Sequence, residues 1–268
     1  MSTSEHASPL QWWLPQALEL EQCWQVAIGP LTLYLKRNLQ EWLFSFERDN
    51  ESELQCRLES NGAVCLPELL ATQRFMFRHS PTTFQLKPKL LDRSVVIKTR
   101  QRVSIPPGEN SVFYISSPVV IDITVQQPEL SLLQLPVQRL SDTWFGPPTH
   151  HGELCYADKT QARHCLEEIP PRPHRAITAV TIENRSTAIL TLDKLSIPLP
   201  YLALYGHQDG SLWTDPIVLR HENLQSLSHF QLGQTLPVGL TSQQQLAPAQ
   251  FKTDSRGLVR AFTDIFQH

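Results

Sequence analysis

The sequence predicts an all-β protein built of sandwich units, the second with an immunoglobulin-like rhythm. Two observations predict it. Apolar residues alternate with polar ones in short runs, the period-two signature of half-buried strands. These runs recur about every ten residues between proline-marked turns, and almost no long helical pattern interrupts them. Composition agrees. Of 268 residues, 21 are proline and only 10 are glycine. Proline therefore exceeds its usual share of about 5%, and glycine falls below its usual share of about 7%. Scattered glycines exclude collagen-like and linker-rich chains, and they supply no phosphate-cradling glycine loop.

The first unit is predicted over 14–92. Val26 and Ile28 lead into a turn at Gly29-Pro30, and Leu31, Leu33 and Leu35 share one strand face. Lys36-Arg37-Asn38 reads as a hairpin turn into Trp42, Phe44 and Phe46. Residues 16–48 are thus expected to form a meander. Residues 66–72 suggest a helical turn or two, with Pro67 at an allowed first position. Phe75 and Phe77, then Phe84 and Leu86, give two more strands.

The second unit is predicted over 93–240. Strands are expected from Val95, over 101–105 and 111–115, and over 119–125, where Val119, Ile121, Ile123 and Val125 share a face opposite Asp122 and Thr124. Residues 176–183 form another. Leu190 and Leu192 have one parity and Leu195 and Ile197 the other, so a bulge or break is expected at Asp193-Lys194. Residues 201–205 and 212–219 complete the set. The remaining 241–268 reads as a linker followed by a short amphipathic helix over 256–266. Leu258, Phe262, Ile265 and Phe266 fall on one helical face. Phe262 therefore marks a helix that docks on its own sandwich or on a partner.

Charge narrows the function. Lys and Arg total 23 against 26 Asp and Glu, a formal charge of −3 and a pI near 6.4. That balance argues against a nucleic-acid partner. The densest basic stretch is Arg93 to Arg102. Its alternating Lys98, Arg100 and Arg102 read as a solvated strand face, with an anionic-ligand groove as the alternative. No run approaches the ~18 apolar residues of a membrane span, and the N-terminus has neither the basic nor the apolar region of a secretory signal. A cytoplasmic protein without direct membrane insertion is expected. Five cysteines in such a chain are expected to be reduced thiols.

Chemistry concentrates in residues 142–165. A zinc site is one reading, with His150, His151, Cys155 and His164 as ligands, because imidazole and thiolate suit zinc. The spacing is poor, since adjacent residues on a strand face opposite ways. This site would make the protein a metal-dependent hydrolase. HExxH and GxSxG are both absent. A binding reading uses Trp144, Phe145 and Tyr156 as stacking surfaces for a small ligand or carbohydrate. The segment otherwise reads as a long inter-strand loop. Trp12 and Trp13 offer a partner-docking pair if exposed, or a pin for the N-terminus if buried.

Trp144-Phe145-Gly146 followed by Gly152-Glu153-Leu154-Cys155-Tyr156-Ala157 resembles a motif of an uncharacterised prokaryotic family, domain of unknown function 432. Trp13, then a strand into Gly29-Pro30-Leu31, fits the same family, and the similarity spans roughly 13–225. The resemblance carries no established activity and no catalytic residues. It implies an accessory role beside a membrane channel of the small-conductance mechanosensitive type. The leading expectation is a non-catalytic module that binds a protein partner.

Overall fold

A computed structural model describes residues 11–49, 54–60, 66–127, 129–146, 152–222, 228–233, 235–236, 239–241, 244–252 and 257–259. In chain order its strands are β1 (Gln16–Ala17), β2 (Cys23–Ile28), β3 (Leu31–Asn38), β4 (Glu41–Arg48), β5 (Cys56–Ser60) and β6 (Gln73–Met76). Next come β7 (Thr83–Lys89), β8 (Val95–Ile105), β9 (Asn110–Pro118), β10 (Val120–Val125), β11 (Leu130–Pro136), β12 (Ser141–Phe145) and β13 (Glu153–Ala162). The last are β14 (Arg175–Asn184), β15 (Leu190–Ile197), β16 (Leu204–Gly206), β17 (Leu212–Thr214), β18 (Ile217–His221), β19 (Ser228–Leu232), β20 (Gln245–Ala247) and β21 (Gly257–Val259). Among the described residues helix is confined to short turns, and none reaches seven residues. Among the described residues no helix is long and apolar enough to cross a membrane.

The expected meander is present. Strands β2, β3 and β4 pair antiparallel in unbroken register, and β5 and β6 flank them. Leu31, Leu33 and Leu35 are buried, as their alternation requires. The hairpin turn falls at Leu39-Gln40, because Lys36-Arg37-Asn38 still belongs to β3. Arg37 belongs inside: its guanidinium donates to the Leu18 and Ser80 carbonyls and to the Ser80 hydroxyl. The helical turn expected over 66–72 is a reverse turn, closed by Leu70 N–H donating to Pro67 O.

A second sheet runs β1-β7-β10-β11 and draws strands from both sides of residue 92. Both faces of β10 are buried, including the Asp122 and Thr124 face. Asp122 is satisfied there by Lys89 and the Ser131 hydroxyl. A third sheet runs β12-β13-β8-β15, and a fourth centres on β14, flanked by β9, β17 and β18. The β8–β15 register shifts between Leu192 and Lys194, where the parity switch in the sequence placed it. The sheets pack in sandwich-like layers around one continuous apolar cluster that reaches from Trp12 to Ala247.

Two stretches differ from expectation. Where a loop was expected within 142–165, β12 (Ser141–Phe145) and β13 (Glu153–Ala162) pair as antiparallel strands. Apolar alternation in Leu154 and Tyr156 continues as strand because β8 offers β13 a parallel edge. The C-terminal stretch is no plain linker and helix. β20 pairs with β16, and Gly257–Val259, the start of the expected helix, pairs as a strand with β19. An open edge on β19 takes the backbone hydrogen bonds that a helix would satisfy internally. Phe262 lies outside the described residues.

Candidate binding face and cavity

The β12–β13 hairpin sorts its side chains by strand parity. Asp142 stands opposite Tyr156, and Trp144 opposite Leu154, on one face. Cys155 and Phe145 take the other face and are buried, at 0% and 2% exposure. Trp144 is 49% exposed and Leu154 47%. The Trp144 indole lies across Gly152, where an added Cβ would fall 2.3 Å from Nε1. Glycine at 152 is therefore the residue that lets the ring lie down on the strand.

Tyr156 is held from several sides. Its hydroxyl donates to Asp92 Oδ1 at 2.9 Å. Arg93 sits over the ring, 5.1 Å from its centroid, and reaches Asp142 Oδ1 at 3.2 Å. Burial, then the Asp92 hydrogen bond and charge, push the phenol above its usual range. Tyr156 is thus a fixed, uncharged aromatic post.

Behind it opens a cavity of about 580 Å³, within the usual size of small-molecule sites. Its walls come from the end of β7, from β10 and β11, and from residues 247–250. That last wall is a strap. The Gln250 side chain donates to the Leu90 and Leu91 carbonyls at 3.0 and 3.2 Å, and Gln250 and Phe251 N–H both donate to Pro200 O. Apolar groups such as Leu90, Val120 and Leu202 dominate the lining, with Lys89, Asp92, Gln134 and Tyr156 as the polar points.

The proposed zinc quartet does not assemble from its described members. Cys155 lies near the start of β13 and His164 two residues beyond its end, and the strand from Cys155 to Ala162 alone spans roughly 20 Å at ~3.3 Å per residue. Cys155 is within reach of Glu153 Oε1 and the Ser196 hydroxyl, and burial with the Glu153 charge pushes its thiol up to about 12. It stays a thiol at neutral pH and is a poor nucleophile. His150 and His151 lie outside the described residues. Among the described residues no three His, Cys, Asp or Glu groups are placed to hold a metal ion.

Trp12 and Trp13 are core residues and not an exposed pair, at 0% and 5% exposure. Their rings meet edge to face at 5.8 Å, and Trp12 Nε1–H donates to Pro173 O at 3.0 Å. They pin the N-terminus, because two indoles bury more apolar surface than that end could leave in water. Sequence reading found Trp144 and Tyr156 but missed Asp92, Arg93, Leu154 and Gln250. Arg93 was visible only as one charge in a basic run, and Gln250 only as part of a polar stretch. Their roles follow from strand pairing across long separations, which no local pattern carries.

No curated protein and no solved structure matches the chain. A family model described as Protein of unknown function (DUF432) matches residues 12–267, nearly the whole chain.

Proposed function

The chain belongs to the DUF432 family, and from that premise we propose that it is a non-catalytic, cytoplasmic binding module whose contact surface is the Trp144–Leu154–Tyr156 face of the hairpin. The observation that carries this reading is Trp144. A tryptophan left half exposed beside an equally exposed leucine is costly in water, and such aromatic anchors dominate protein interfaces. The face is also preorganised. Gly152 seats the indole, while Asp92 and Arg93 lock Tyr156, so little side-chain freedom is lost on docking.

The partner is a protein. The family resemblance points to the soluble part of a small-conductance mechanosensitive channel. Trp144→Ala and Leu154→Ser should each weaken capture of that partner at least tenfold, as interface anchors do, with only small changes in melting temperature because about half of each residue already stands in solvent. Retention of the partner by the double variant would sink the reading.

A second reading has its own observation. The cavity behind Tyr156 has the volume and the apolar lining of a small-ligand site. A bound small molecule seen in native mass spectra of the purified protein would favour the cavity over the hairpin face.

A further inference from the structure

His164 does not serve the hairpin face, and its surroundings define a different site. Arg100 and Arg102 of β8 line a recess of about 250 Å³ whose lining also includes Arg163, His164 and Phe113. Arg163 is anchored through its backbone, which exchanges hydrogen bonds with Tyr114 at 2.7 and 3.0 Å. The His164 ring packs on Phe113 with centroids 4.4 Å apart, and its Nδ1 lies 3.2 Å from Val112 O. A carbonyl can only accept, so Nδ1 carries the hydrogen and Nε2 is left for another group.

The charge balance of this recess decides what that group is. Three arginines and one carboxylate, Glu168, line it, and Glu168 approaches Arg100 only to 3.9 Å. A metal cation is repelled there and an oxyanion is attracted. The adjoining sheet extends the field. Lys98 of β8 stands directly opposite Lys194 of β15, a like-charge pair that weakens a sheet. Among the described residues neither lysine has an ion-pair partner. A second recess of about 250 Å³ shares Arg163 and Glu168 with the first and adds Lys159.

We propose that the Arg100–Arg102–Arg163–His164 recess binds the phosphate group of a small molecule. Planar guanidinium forks match phosphate oxygens two at a time, and His164 Nε2, an acceptor in this tautomer, takes a hydrogen bond from a phosphate hydroxyl. The neighbouring recess accommodates a second phosphate, so a diphosphate fits better than a monophosphate.

Calorimetric titration of the full chain with pyrophosphate, at neutral pH and low salt, tests this. One saturable site is expected, weakened at least tenfold by Arg102→Gln combined with Arg163→Gln, as loss of charge-assisted bonds requires. Glu168→Gln should strengthen binding several-fold, a gain that a damaged fold cannot imitate. No saturable heat, or equal affinity in the double arginine variant, would overturn the proposal. So would binding to phosphatidylglycerol vesicles with none to pyrophosphate, which would give the face to a membrane surface.

Discussion

His174 is buried at 1% exposure, and its Nδ1 has no hydrogen-bond partner among the described residues. Burial first, then the neighbouring Arg175 and Arg172 charges, push its pKa down to about 3 from an ordinary 6.5. Above about 6.5 the ring is neutral in both folded and unfolded chains. Between about 6.5 and about 3 only the unfolded chain takes the proton. Stability should therefore fall as the pH drops through this window, by about 1.4 kcal/mol per unit, and level off below it. Urea midpoints at pH 7, 6 and 5 measure the slope. His174→Leu should flatten it, and an unchanged slope would assign the acid sensitivity elsewhere. The same ring explains Gly29, which has φ +54 and where a Cβ would fall 2.1 Å from His174 Nδ1. Gly29-Pro30 was legible in the sequence as a turn. The imidazole that demands glycine there was not, because it arrives from the turn before β14, far along the chain.

At the scale of elements, alternation told most of the story. The meander, the long strands and the Asp193 bulge were legible because each rests on a local pattern of parity. What local pattern misled was the C-terminus. Leu258 fits a helical face with residues beyond it, yet it pairs with His229 at the edge of β19. Pairing partners outweigh intrinsic periodicity where an open edge is near. Truncation after Lys252 should therefore expose that edge while leaving the Gln250 strap intact. The expected result is association in sedimentation velocity with little change in melting temperature, since exposed edges recruit other strands. A monomeric truncated protein would show that β21 does not protect the edge.

For the whole molecule, the β1-β7-β10-β11 sheet joins the two halves read from the sequence. β10 pairs with β7 along its whole length, from Val120 opposite Lys89 to Val125 opposite Phe84. The core cluster is equally continuous. Calorimetry should thus show one unfolding transition, and residues 14–92 and 93–240 expressed apart should each fail to fold. Two independent transitions would make the halves separate domains. This coupling was invisible in the sequence because strand order leaves no mark on local composition. The binding face was half visible for the same reason: Trp144 and Tyr156 stand out as residue types, whereas Asp92 and Arg93 matter only once β7 and β8 bring them there.

The Trp12 contact with Pro173 has a consequence for how the protein is made. The two residues are 161 positions apart. A ribosome adding about 5–20 residues per second needs roughly 8–30 s to deliver the second after the first. Throughout that interval the Trp12 indole N–H lacks the Pro173 carbonyl that receives it in the folded protein, and the paired indoles stay incompletely covered. They are the natural handle for a chaperone, and the natural seed of aggregation when none is at hand.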